Sequence, residues 1–297
     1  MKKSIKPNFE MLKKLTLSAI FSDEEFLAVL VLKGGNAMAL AYELTERASL
    51  DIDFSMSGDF AEGDIERVRE KLGRLLDNEF SKFDMRVIDV KLVEKPGKIN
   101  EAVKNFWGGY QLEFKVISVA VHEEFWPDAA LLTRKALPIH LDNSSKFLID
   151  ISKFEYIEGK KPVEIDGSTV YVYSPEMIAI EKMRALCQQN AGYKDVVLSM
   201  TPKSRARDFY DIHKLIIRYG INIESPENVQ LTREIFGAKK VPLEFLKELE
   251  LDREFHRQSW ESVKDTISNL EKLEEFDFYF DFVKEKSVQI LHSLGIE

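Results

Sequence analysis

The sequence predicts an α+β fold, with a mixed-sheet domain and its N-terminal helix over residues 1–167 and a helical domain over 168–297. Two observations carry this. Before residue 174 short β-branched or aromatic runs alternate with amphipathic stretches. From Ser174 onward the spacing turns helical and stays so. The change falls between Gly167 and Ser174, which sets the expected boundary.

A chain of 297 residues is long enough to bury a sizeable core in one large or two modest domains. Its 44% hydrophobic and 31% charged residues are ordinary for a globular protein. No apolar run approaches the ~20 residues of a membrane span. The basic start, Met1 to Pro7, lacks an apolar core, so no secretion signal is expected. A single cysteine, Cys187, excludes an internal disulfide and suits a reducing cytoplasm. The net charge of -9 argues against a generally DNA-coating surface, while leaving room for a local basic pocket. The five histidines are scattered, without zinc-ligand spacing.

In order, residues 6–26 carry a helical apolar stripe of Phe9, Leu12, Leu15, Ile20 and Phe21. Leu27 to Leu32 is wholly apolar and ends at Lys33-Gly34-Gly35, the pattern of a buried strand running into a tight turn. Asn36 to Tyr42 is expected to be a short helix with Asn36 as N-cap. Ser49 to Ser55 alternates as a strand, with Leu50, Ile52 and Phe54 inward and Asp51 and Asp53 on the other face. Residues 59–80 form an amphipathic helix through Ile65, Val68, Leu72, Leu75 and Leu76. Strands follow at 85–93, 110–119 and 146–152, then a charged loop at 153–167 and a strand at 169–173. Ser174-Pro175-Glu176 starts a helix running to Gln189. The polar stretch 192–205 leads into a helix over 206–219, ended by Gly220. The remainder is mostly helical. Its aromatic run, Phe276 to Phe282, has acidic flanks and reads as core rather than as a stacking surface for bases.

Three constellations bear on chemistry. In the first, glycines at 34 and 35 let backbone N–H groups approach a phosphate, and the helix start adds positive dipole character. Asp51 and Asp53, at i and i+2, would repel one another unless a cation lay between them, and carboxylate oxygens suit hard Mg²⁺. Either half alone reads as a plain turn or a solvated strand edge; the combination points to a metal beside a phosphate. No Gly-Lys-[Ser/Thr] precedes a helix, so this is not a P-loop. A third carboxylate is expected on a neighbouring strand: Asp150, in the apolar Phe147 to Ile151, with Glu113 as its rival.

The second is Lys182, whose helical neighbours Ile178, Ala179, Ala185 and Leu186 are apolar. A lysine in that stripe either snorkels to water or serves a phosphate. The third is Arg205-Ala206-Arg207-Asp208-Phe209-Tyr210-Asp211, where Asp208 and Asp211 share a helical face. Alone it would be a helix start stabilised by its dipole. With Lys182, Arg184, Lys194 and Lys203 it makes a local basic site inside an acidic protein. Arg207 and Asp211 thereby become substrate-binding candidates.

Lys33-Gly34-Gly35-Asn36-Ala37, then Arg47-x-Ser49-x-Asp51-Ile52-Asp53-Phe54, Glu181-Lys182-x-Arg184-Ala185-Leu186 and Arg207-Asp208-x-Tyr210-Asp211 together resemble the AbiEii/AbiGii-type nucleotidyltransferases. These are toxins of abortive-infection, type IV toxin–antitoxin pairs in phage defence, similar in fold to DNA polymerase β-like nucleotidyltransferases. The resemblance covers roughly residues 30–215 and is specific in combination. It implies a nucleotidyltransferase domain with a helical domain closing over a nucleoside triphosphate, and Mg²⁺ held by Asp51 and Asp53. It further implies that Lys182 acts on the phosphates, that Arg47 supports the strand or the phosphates, and that Asp208 belongs to a further catalytic motif. A tRNA end is the implied acceptor for some relatives. The implied partner is an antitoxin, often a DNA-binding repressor encoded next door. Where the superfamily has a serine or threonine after the glycine, this chain has Asn36, whose amide is expected to donate to phosphate instead. A small-molecule nucleotidyltransferase of the same fold, or a non-catalytic nucleotide-binding module, are the alternatives.

Overall fold

A computed structural model describes residues 8–44, 51–139, 143–267 and 273–296. The chain begins with α1 (Phe9–Phe21) and α2 (Glu24–Val29), then β1 (Val31–Lys33). A short α3 (Gly34–Asn36) passes into a π-helical turn, Ala37–Ala41, followed by β2 (Ile52–Ser55) and α4 (Ile65–Ser81). Next come β3 (Met85–Lys95), β4 (Gly109–Ser118), α5 (Val119–Phe125), α6 (Ala129–Lys135), β5 (Phe147–Ser152), β6 (Lys161–Ile165) and β7 (Ser168–Val172). The helical part is α7 (Pro175–Cys187), α8 (Ala206–Tyr219), α9 (Pro226–Ala238), α10 (Arg253–Arg257), α11 (Trp260–Lys264) and α12 (Phe276–Leu294), with short 3₁₀ turns between.

The strands form one seven-stranded sheet in the order β3-β4-β5-β2-β1-β7-β6. The β1–β7 and β2–β5 pairs are parallel and the others antiparallel, so the sheet is mixed as expected. β7 lies C-terminal to the expected boundary at 167/168 and yet belongs to this sheet, beside β1. Helices α1 and α4 pack together, α1 against β7 and α4 against β3. Phe9 of α1 stacks on Phe147 of β5 at 5.3 Å, and Phe147 on Phe114 of β4 at 4.9 Å. In the helical part α7 packs on α8 and α9. The aromatic run does enter the core: Phe276, Tyr279 and Phe280 are buried, and Phe209 stacks on Phe280 at 5.0 Å.

Several local expectations shift. The first helix is two helices, because Asp23 caps a new one by accepting from the Glu25 N–H (3.1 Å), with Glu24 and Glu25 favourably placed in its first turn. That helix absorbs residues 27–29 of the expected strand, and β1 starts at Val31. The helix expected from residue 59 starts at Ile65, since Asp59 is held by Lys153 at 2.6 Å and by the Tyr110 hydroxyl. The charged loop 153–167 contains β6, which pairs with β7 across Asp166-Gly167, both at positive φ. That is the Asp-Gly signature of a tight hairpin, and Pro162 sits in β6, an edge strand of the sheet, where its missing N–H is tolerated. Helices α5 and α6 had no counterpart in the sequence reading. By contrast, Ser174 accepts from the Met177 N–H (3.3 Å) and Gly220 takes a left-handed φ of 59°, so both ends behave as expected.

Candidate active site

Gly34 has φ +65°, a conformation that favours glycine, and it brings the turn against Asp53. A Cβ at Gly34 would lie 3.1 Å from Asp53 Oδ2. We therefore expect Gly34→Ala to cost about 1–2 kcal/mol in thermal or denaturant unfolding. By displacing the carboxylate it should also lower activity about tenfold or more in a transfer assay.

The sheet register sets the carboxylates. Asp53 pairs with Lys33 on β1 and, on its other side, with Asp150 on the parallel strand β5. Asp53, Asp150, Gly34, Gly35 and Lys182 all line one cleft of about 700 Å³ between the sheet and α7. Gln111 of β4 stands opposite Asp150 and donates to its Oδ1 at 3.0 Å. Glu113 is outside the cleft wall; its carboxylate binds Lys146 (3.0 Å) and Lys91 (3.5 Å). Asp51 is exposed, one residue ahead of β2, and is not part of the described wall.

Burial pushes the Asp53 carboxyl up to about 6; Lys33 opposes this, while Asp150, Glu181 and Asp51 add to it. A cation beside Asp53 would remove that penalty. Every nearby acidic donor is a carboxylate, the chemistry of a hard divalent ion. Among the described residues no group of three His, Cys, Asp or Glu side chains is arranged to hold a metal ion. The in-register pair Asp53 and Asp150 still fits Mg²⁺, which is usually held by one or two carboxylates and completes its shell with waters and phosphate oxygens.

The cleft floor is a buried charge network. Glu155 faces Lys33 (3.4 Å), Arg184 (3.4 Å) and Lys239 (3.6 Å), and Arg184 also binds Glu181 at 2.8 Å. Burial raises the Glu155 carboxyl, but Arg184, Lys33 and Lys239 outweigh it and hold the group at about 2. Lys239, reaching from the end of α9, also donates to the carbonyls of Phe106 (3.3 Å) and Lys153. Burial brings its ammonium down to about 8. Glu155 and Lys239 gave no signal in the sequence, since they lie in a loop and at a helix end.

Lys182 is buried, and its ammonium lies 2.7 Å from Asp208 and 2.9 Å from Asp211. Burial lowers its affinity for the proton, but the two aspartates reverse this and raise the pKa above the ordinary lysine value. Burial likewise raises Asp208, while Arg205 and Lys182 hold it at about 2. Asp208 and Asp211 thus stand behind Lys182 rather than in the cleft wall. Arg207 is also outside that wall, donating to Thr266 Oγ1 at 2.7 Å and lying 3.9 Å from Asp211.

Asn36 departs most from expectation. The helix starts at Gly34 with Lys33 at its N-cap, so Asn36 is not the cap. Its side chain has no exposure and is absent from the cleft wall. The amide accepts from Lys13 Nζ (3.2 Å) and donates to the Asp51 carbonyl, so it is turned away from any phosphate. Arg47 lies outside the described residues.

Among solved structures, the chain is similar to a candidate nucleotidyltransferase from H. pylori, at 16% identity and TM-score 0.46, over 99% of this chain and 97% of that one. It is similar to JHP933 from Helicobacter pylori at 18% identity and TM-score 0.43, covering 97% and 95%. An antigenic nucleotidyltransferase-like protein from Paracoccidioides brasiliensis aligns at 16% identity and TM-score 0.36, covering 80% and 95%. No curated protein matches the chain. The family described as nucleotidyl transferase AbiEii toxin, type IV toxin–antitoxin system, matches residues 15–282. The chain therefore belongs to the AbiEii family and is a nucleotidyltransferase.

Proposed function

We propose that this nucleotidyltransferase is a Mg²⁺-dependent toxin that transfers a nucleotide from a nucleoside triphosphate to an acceptor hydroxyl at a tRNA end. The reading includes a role in phage defence in the cytoplasm, opposed by an antitoxin that represses the shared operon. No helix among the described residues is long and apolar enough to cross a membrane.

The observation that carries the reading is the register of Asp53 beside Asp150 at the Gly34-Gly35 turn, facing Lys182 across one cleft. The charges of that cleft support it. Lys33, Lys95, Lys182, Arg184, Lys203, Arg205 and Lys239 line it, against Asp53, Asp150, Glu155 and Glu181. Asp208 and Asp211, behind the wall, offset Lys182 and Arg205, so the surplus is small, yet a cation-lined cleft in a protein of net charge -9 favours a polyanionic ligand.

In this reading Asp53 and Asp150, with Asp51 beside them, would hold the cation, which would supply charge neutralisation and a lowered pKa for the attacking hydroxyl. The backbone N–H groups of the Gly34-Gly35 turn cradle the triphosphate. Lys182, kept charged and aimed by Asp208 and Asp211, meets the charge that develops on the departing pyrophosphate. Arg205 and Lys203 extend the positive wall, Arg207 and Asp211 brace it from behind, and Arg47 would support the strand or the phosphates.

The test is incubation with each α-³²P-labelled triphosphate and Mg²⁺, with total RNA in one arm and a small-molecule extract in the other. Label entering tRNA, and lost with EDTA, is the expected result. Label only in small molecules would replace the acceptor, and no label in either arm would overturn nucleotide transfer.

A further inference from the structure

Lys13 has no solvent exposure. An ammonium in that position is costly unless it is paired and hydrogen-bonded. It sits on α1, away from the cleft wall, and is bound to Glu10 at 2.5 Å and to Asn36 Oδ1 at 3.2 Å. The Asn36 amide uses its other end to donate to the backbone carbonyl of Asp51. Glu10, Lys13 and Asn36 thus form a polar chain from the far helix to the backbone of one carboxylate residue.

Asp51 needs such a hold. The β1–β2 ladder runs from Val31↔Ser55 to Lys33↔Asp53, and the β2–β5 ladder begins at Ile52↔Ile149. Asp51 therefore stands one residue beyond both. Outside a ladder, bonds such as the one from Asn36 to the Asp51 carbonyl help to fix the backbone.

We propose that Lys13 and Asn36 are positioning residues that fix the backbone at Asp51 and thereby aim its carboxylate at the cation shared with Asp53. Asn36 is then not a phosphate contact, although it follows the diglycine. The inference rests on the metal-site reading above. Groups that orient metal ligands from behind typically matter by about 10–100-fold in metal affinity.

The informative variant is Asn36→Asp. It keeps an acceptor for Lys13, now as an ion pair, but no longer donates to the Asp51 carbonyl. The experiment is Mn²⁺ titration followed by EPR, alongside kcat and KM for the triphosphate, with circular-dichroism melts to establish folding. Asn36→Asp and Lys13→Met are each expected to weaken Mn²⁺ binding about tenfold and to lower kcat, with KM for the triphosphate changed less than about twofold. The double variant should be little worse than either single, because both cut one chain. Lys13→Gln, which still donates to Asn36, should recover most of the affinity. If Lys13→Met does not fold, Asn36→Asp and Lys13→Gln decide the matter.

Unchanged Mn²⁺ affinity in Asn36→Asp would overturn the inference. So would a raised KM with unchanged kcat, since that marks a phosphate contact. Asp53→Asn serves as the control: if it too leaves Mn²⁺ binding intact, the metal-site reading fails instead.

Discussion

Asp53→Asn is expected to reduce nucleotide transfer about a thousandfold, equivalent to about 4 kcal/mol of transition-state stabilisation, while making the metal-free protein more stable at pH 7. The first effect follows from its place: Asp53 joins Lys33 on one side and Asp150 on the other, directly against the Gly34 turn. The second follows from its proton affinity. Burial and the neighbouring carboxylates raise its folded-state pKa from 3.8 to about 6. A raised pKa means that the folded state binds the proton more tightly than the unfolded state. The stabilisation is complete below about pH 4 and is lost as pH rises through 6, so at pH 7 the ionised group costs up to about 3 kcal/mol. Asparagine has no such penalty. Melts at pH 4 and pH 7 without metal should show the variant gaining on the wild type only at the higher pH. Added Mg²⁺ should close the gap by stabilising the wild type alone. A variant that transfers nucleotide at the wild-type rate would refute the role.

Lys182→Met is the second large change. It leaves Asp208 and Asp211 buried without the ammonium that lies 2.7 and 2.9 Å from them. Removing one partner of a buried ion pair costs about 3–5 kcal/mol, and the lower end is expected here because Arg205 remains bound to Asp208. Asp208 is held at about 2, below its unfolded value of 3.8. Its contribution to stability is therefore present above about pH 4 and is lost as pH falls towards 2. That acid sensitivity should shrink in Lys182→Met. Adding Asp208→Asn and Asp211→Asn removes the stranded charges and should restore most of the melting temperature. Under the proposed role of Lys182, transfer should stay at least about a hundredfold down, because a charge to meet the departing pyrophosphate is still missing. A triple variant that regained activity would show that Lys182 serves only the fold.

The elements that read well from sequence are those whose cause is local. Ser174-Pro175 starts α7 and Gly220 ends α8 with chemistry contained in a few residues. Asp150 stood out as an acid in an apolar strand; it lies in register with Asp53 and is exposed. Other features depended on distant partners. Nothing near Asn36 announces that Lys13, 23 positions earlier, takes its oxygen. Nothing near residue 155 announces cations arriving from 33, 184 and 239. Helix α5 is only seven residues long and has no fully buried residue, so its apolar pair Val121 and Phe125 is too short a stripe to stand out. The β6–β7 hairpin is a different matter, because Asp166-Gly167 carries its turn signal and was outweighed by the charges around it.

The Glu155 network has a consequence for synthesis. Its cations come from before α3, from α7 and from the end of α9. Translation proceeds from the N-terminus, and the sheet can begin folding while α9 is still being made. Until residue 239 has left the ribosome the cleft floor lacks Lys239 and its bonds to the Phe106 and Lys153 carbonyls. A nascent or prematurely terminated chain carries the diglycine and the carboxylates without a complete cleft floor, so the cleft is completed only as the last fifth of the chain emerges.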